Sequence, residues 1–90
     1  MELTPQVIDF VRRLPPDARK RVRQALRDLQ DEKGDIKRLE APLAEYCRLR
    51  VDGYRVLFTY AKRQTIACVF VERRSIVYEV FAALVADKLL

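Results

Sequence analysis

The sequence predicts an α+β fold, in which an N-terminal αα-hairpin packs on a small, largely antiparallel β-sheet of three to four strands, followed by a C-terminal helix. Three observations predict it. Apolar residues recur at helical spacing through the first third of the chain. Two alternating runs, residues 46–51 and 54–60, are separated only by Asp52-Gly53. A continuous apolar and β-branched run at residues 65–71 then precedes a last helical pattern.

Taking the chain in order, Thr4-Pro5 starts a helix, with a side-chain cap followed by Pro at the first helical position. Val7, Ile8, Val11 and Leu14 supply its apolar stripe, and residues 1–3 are too short to assign as more than the stub of a strand. Leu14-Pro15-Pro16-Asp17 ends this helix, because a residue before Pro avoids the α region, and Pro16 and Asp17 open the next. The second helix is the clearest periodic signal: Ala18, Val22, Ala25, Leu26 and Leu29 form one buried stripe, and Gly34 is its stop.

The outer face of that helix crowds Arg19, Lys20, Arg21, Arg23 and Arg27 toward the start and Asp28, Asp31 and Glu32 toward the end. Both placements oppose the helix macrodipole. Two readings are open: a second contact for a polyanion, or a solvated face relieved by pairs such as Asp17–Arg21 and Arg27–Asp31.

Residues 35–45, with Pro42 and isolated Ile36, Leu39 and Leu43, read as a connection into the hairpin. A two-residue loop at Asp52-Gly53, of the type I′ that this dipeptide favours, makes Val51 and Tyr54 the first cross-strand pair. Counting outward sets Arg50 against Arg55, Leu49 against Val56, Arg48 against Leu57 and Cys47 against Phe58. One face then carries Cys47, Leu49, Val51, Tyr54, Val56 and Phe58, a core face. The other carries Arg48, Arg50 and Arg55 with Tyr46, Leu57 and Thr59. Two arginines directly opposite each other destabilise a ladder, and such a site is tolerated most readily where an anion belongs.

Lys62-Arg63-Gln64 reads as a polar turn. The run at 65–71 reads as a central strand covered on both faces, compatible with either register against its neighbour. Ser75 is placed to cap a last helix with the stripe Val77, Phe81, Leu84 and Val85, which sets Tyr78 in its first turn near Arg74.

Ninety residues suit a single domain, 1–90, with one core and little surplus stability. No apolar run approaches the roughly 20 residues that span a bilayer, and no cleavable signal precedes the first helix, so the expectation is a cytoplasmic protein without membrane attachment. The net charge of +5 is unevenly placed: residues 1–45 carry ten basic and nine acidic side chains, residues 46–90 eight and four. A local basic patch suggests a polyanionic partner. The chain has no His and only Cys47 and Cys68, which read as small reduced core residues. A zinc site lacks soft ligands, every His-dependent nucleophile is excluded, and neither metal nor cofactor is expected. Catalysis has to use Arg, Lys, Tyr, Asp or Glu.

The candidate constellation is Arg48, Arg50, Arg55, Arg74 and Tyr78, with Tyr46, Glu72 and Arg73 nearby. Arg55 borders the central strand, and Arg74 leaves that strand at the same end. Forked guanidiniums suit a phosphodiester, gripping its oxygens and stabilising a pentacovalent transition state. Cations around Tyr78 favour its ionisation, Tyr46 and Tyr78 are alternatively suited to stack on unpaired bases, and Tyr78 also fits a core position of the last helix.

The segment Arg48-Leu-Arg-Val-Asp-Gly-Tyr-Arg55, followed by Val56-Leu-Phe and by Val71-Glu-Arg-Arg-Ser-Ile-Val-Tyr78, resembles the RelE/ParE superfamily of type II toxins, as does the Leu14-Pro-Pro helix junction. The resemblance implies a microbial RNase-like fold, neutralisation by a cognate antitoxin and contact with DNA only through the toxin–antitoxin complex. In the RelE branch it implies cleavage of mRNA in the ribosomal A site, by attack of the RNA 2′-hydroxyl on the adjacent phosphate. Position by position, it implies catalytic roles for Arg55, Arg74 and Tyr78 and a basic, RNA-binding strand residue in Arg48; from the residues themselves Arg50, Arg73 and Tyr46 are expected to add RNA-binding contacts, Arg50 as a supporting or antitoxin-contacting charge. This hairpin has no Lys where RelE members carry lysines, and guanidinium does not give up its proton, so the resemblance supplies no proton acceptor. A ParE-type inhibitor of DNA gyrase, and a non-catalytic relative that binds antitoxin or RNA, are the competing expectations.

Overall fold

The computed structural model describes residues 1–89. The elements in chain order are β1 (Glu2–Leu3), α1 (Pro5–Arg13), α2 (Pro16–Leu29), β2 (Asp35–Arg38), β3 (Cys47–Val51), β4 (Tyr54–Tyr60), β5 (Ile66–Arg73) and α3 (Val77–Leu89). The strands form one five-stranded sheet in the order β1-β5-β4-β3-β2. All neighbours are antiparallel except β1, which runs parallel to β5. The fold is α+β as expected, but the sheet is mixed and has five strands instead of three or four.

The two extra strands are the ones with little pattern. β1 has only two residues, and its chain is secured instead by Thr4, whose N–H donates to Cys68 O at 3.1 Å and whose hydroxyl donates to Val69 O at 3.0 Å. The same hydroxyl accepts from Val7 N–H, capping α1. One turn on, the Gln6 amide covers both backbone groups of Val71, donating to its carbonyl at 2.7 Å and accepting from its N–H at 2.9 Å. β2 occupies the start of the segment expected to be a connection. Ile36 is its one apolar residue, placed opposite Leu49, which is too little alternation to signal a strand.

The hairpin pairs in the expected register, from Val51 with Tyr54 through Arg50 with Arg55 to Cys47 with Phe58. Its turn differs from type I′: Asp52 (φ 52°) carries the left-handed conformation and Gly53 lies outside it. Arg21 of α2 holds Asp52 through an Nε–Oδ2 bond of 2.6 Å. Helix α2 ends at Leu29, before Gly34; Gly34 (φ 131°) turns the chain into β2, where an added Cβ would lie 2.7 Å from Leu49 Cδ1.

The ambiguous register of β5 is resolved by a bulge. Leu57 faces Phe70 while Phe58 faces Cys68, so Val69 is the extra residue. As a result Ile66, Cys68 and Val71 point toward α1 and α2, whereas Val69 and Phe70 point toward α3. The main core lies between the sheet and α1–α2, built on Val7, Val22, Leu29, Leu49, Val56, Phe58, Cys68 and Val71, each at most 1% exposed. Cys47 and Cys68 are both buried and unpaired.

The smaller core is on the opposite face. Val77 and Phe81 of α3 rest on Leu57, Phe70 and Leu43, with Val85 beside them. Leu84, expected in this stripe, is 45% exposed. Helix α3 starts at Val77, and Ile76, not Ser75, supplies the carbonyl that accepts from Val80 N–H. No helix among the described residues is long and apolar enough to cross a membrane.

Candidate functional site

Side chains alternate across a strand. Because Leu49, Val51, Val56 and Phe58 enter the main core, Arg48, Arg50 and Arg55 must leave the sheet on the α3 side. Helix α3 covers only part of that face, and beside it lies an open groove of about 720 Å³. Arg48, Arg50 and Arg55 line it from the sheet; Lys37, Arg38 and Glu40 line it from β2 and the segment that follows; Arg74, Tyr78 and Glu79 line it from the start of α3. Six cations and two carboxylates therefore share one concavity.

Arg55 is the central group. It is 5% exposed, the one charged residue in the buried class among the described residues. Its Nη1 donates to the carbonyls of Asp52 and Tyr54, each at 2.9 Å, which fixes the guanidinium beside the turn while the residue still borders the groove. Burial lowers its pKa below the usual arginine value, and the charge of Arg50 lowers it further; Tyr78 acts in the opposite sense, and Arg74 and Arg48 add to the lowering. Arg55 is held among like charges that a bound anion would relieve.

Arg74 is placed by its backbone, whose N–H donates to Gly53 O at 2.9 Å, so the hairpin turn and the entry to α3 are fixed to each other. Tyr78 follows one turn later; it is 38% exposed and lines the groove, not the core under α3. Arg48 donates from Nη1 to both the carbonyl and the carboxylate of Asp35, each at 3.0 Å, and is the more buried partner. Arg50 is exposed, directly across from Arg55.

Two residues expected at the site lie elsewhere. Arg73 pairs with Tyr54 on β4 and borders a separate hollow with Phe10, Arg13 and Leu14. In the ladder Arg73 stands opposite Tyr54, one position from the pair made by Arg55 and Glu72, so it takes the side of Tyr54 and not that of Arg55; Glu72 also borders that hollow and not the groove. Tyr46 packs edge-on against Phe81 with ring centroids 4.8 Å apart, and burial raises its pKa, with Glu45 adding a smaller contribution in the same direction. It belongs to the small core and does not line the groove.

Conversely, Asp35, Lys37, Arg38, Glu40 and Glu79 were not singled out from sequence. The available signal was charge flanking Ile36: with Ile36 facing the core, Asp35 and Lys37 must share the face of Arg48 and Arg50. Arg38 reaches the following segment, donating to Ala44 O at 2.7 Å. Among the described residues, no three His, Cys, Asp or Glu side chains come together as metal ligands. Chemically, the groove offers forked donors for an extended anion and a tyrosine beside them.

No protein-family profile and no curated protein matches this sequence. Solved structures do. The chain is similar to one from the RelB–RelE antitoxin–toxin complex of Methanococcus jannaschii, with a TM-score of 0.70 at 23% identity over 90% of this chain and 99% of that one. It is also similar to one from the RelBE2 toxin–antitoxin complex of Mycobacterium tuberculosis, with a TM-score of 0.66 at 25% identity over 81% and 94%.

Proposed function

We propose that this chain is the toxin of a type II toxin–antitoxin pair and acts as a ribosome-dependent mRNA endonuclease that halts translation. The observation that carries the reading is the convergence of Arg55, Arg74 and Tyr78 in one basic groove with Arg48 and Arg50. The likeness of the fold to chains of toxin–antitoxin complexes supports it and supports a cognate antitoxin as partner.

On this reading single-stranded mRNA in the ribosomal A site lies along the groove. Arg48 and Arg50 hold flanking phosphates, and Arg55 and Arg74 hold the oxygens of the scissile one. The ribose 2′-oxygen attacks that phosphorus and the 5′-oxygen of the next nucleotide leaves, giving a 2′,3′-cyclic phosphate and a 5′-hydroxyl. Arg55 carries the largest share of charge stabilisation, because it is the most desolvated donor and cannot reorganise away from its carbonyl anchors. Tyr78 orients the nucleotide by stacking or hydrogen bonding.

The test is induction in cells without antitoxin, followed by mapping of mRNA 5′ ends. Rapid arrest of protein synthesis with codon-phased cuts in translated messages is the expected result. Replication arrest with intact mRNA would replace this reading with gyrase inhibition, and harmless expression would leave only a binding protein.

A further inference from the structure

A 2′-hydroxyl needs a proton acceptor, and the groove's chemistry narrows who can serve. Of the side-chain types lining it, Arg, Lys and Tyr are protonated at neutral pH and only carboxylates are not. The groove holds two, Glu40 and Glu79. They stand on opposite sides: Glu40 follows β2, while Glu79 is in the first turn of α3, adjacent in sequence to Tyr78 and on the same side as Arg74. The scissile phosphate belongs at the end of the groove lined by Arg55, Arg74 and Tyr78. Glu79 is the groove carboxylate that the chain sets directly after Tyr78. Among the described residues Glu79 has no ion-pair partner within 4.0 Å, whereas the acids that do pair, Asp35 and Asp52, are held by Arg48 and Arg21.

We propose that Glu79 is the general base of this groove. The proposal rests on the endonuclease reading above. Its carboxylate takes the proton of the 2′-hydroxyl as the 2′-oxygen bonds to phosphorus. The bond from phosphorus to the 5′-oxygen breaks, and that oxygen takes a proton from water. The hydroxide left behind removes the proton from Glu79, so the carboxylate is regenerated and no atom is unaccounted for. The six cations around the groove bind the RNA, so the carboxylate and the guanidiniums have separate tasks.

The experiment measures single-turnover cleavage of a defined mRNA on programmed ribosomes, from pH 4.5 to 8.5, for the wild-type chain, Glu79→Gln, Glu79→Asp, Glu40→Gln and Glu45→Gln. Binding is measured in parallel with the same mRNA carrying a 2′-deoxy nucleotide at the cleavage position. Glu79→Gln should lose at least about 100-fold in rate, within the usual contribution of a general base, and lose the fall in rate at acidic pH while binding RNA within about twofold of wild type. Glu79→Asp should recover part of the rate and keep that acidic limb. Glu45 lies outside the groove, and Glu45→Gln should match wild type. A Glu79→Gln variant with wild-type rate and acidic limb overturns the assignment, as does transfer of both effects to Glu40→Gln. A wild-type chain that binds the mRNA but leaves it uncut overturns the endonuclease reading itself, and the role of Glu79 with it.

Discussion

The two faces of the β3–β4 hairpin are made from the same two strands of alternating side chains, yet they solve opposite problems. On the α1–α2 side Leu49, Val56 and Phe58 are at most 1% exposed and belong to the apolar core. On the α3 side Leu57 is equally buried, but Arg48, Arg50 and Arg55 open onto a groove. Stability is concentrated in one face and charge in the other, so a substitution can injure one function without the other. Arg55 is the exception, since it is both buried and charged.

The sharpest way to break this division is from the dry side. Phe58→Ala removes a ring with no solvent exposure and should destabilise the fold by about 3–5 kcal/mol, read from urea unfolding. On the groove side, Arg55→Ala should lower mRNA cleavage by about 10²–10³-fold, as loss of a preorganised donor does, while urea unfolding shifts by no more than about 1 kcal/mol. The two lost hydrogen bonds to Asp52 and Tyr54 are partly offset by relief from Arg50. An Arg55→Ala variant that unfolds like Phe58→Ala would show that the division is false.

A third test uses pH. Burial pushes the Cys68 thiol from 9.0 up to about 11. The unfolded chain gives up this proton first, so the stability associated with Cys68 is complete below pH 9.0 and is lost as pH rises toward about 11. Cys68→Val should flatten that alkaline decline in thermal unfolding, and the native thiol should resist alkylation at pH 8. The smallest effect belongs to the cross-strand arginines. Arg50→Ala should raise stability by a few tenths of a kcal/mol, up to about 0.5, because it removes a like-charge pair. No gain in the melting temperature would mean that solvent and salt screen the pair despite the burial of Arg55.

The same contrast explains what the sequence conveyed. The α1–α2 side was legible because Val22, Leu26 and Leu29 keep strict helical spacing, and because Asp52-Gly53 allows one register that alternation then propagates to Cys47 and Phe58. The groove was only half legible. Arg48, Arg50, Arg55, Arg74 and Tyr78 fall inside the hairpin, the exit of β5 and the first turn of α3, and were found there. Lys37 and Glu40 were not, since β2 has one inward apolar residue and its strand character comes from pairing with β3, a tertiary effect. Arg73 was misplaced because the run at 65–71 fits either register, so the side on which Arg73 leaves the sheet could not be counted from sequence. Tyr46 was misplaced because a tyrosine next to arginines looks the same whether its ring meets a base or Phe81.

The Gln6 amide, bonded to both backbone groups of Val71, has a consequence for self-association. It imitates one residue of a further strand and, with the two-residue β1, leaves little of that margin of the sheet able to accept a neighbour. Among the described residues only β2 presents a free ladder of useful length. Open-ended polymers built by strand addition require two complementary margins, whereas one margin can only meet its own copy across a two-fold axis. Strand pairing between copies should therefore stop at a dimer, and concentrated solutions that scatter light as growing fibres would contradict it.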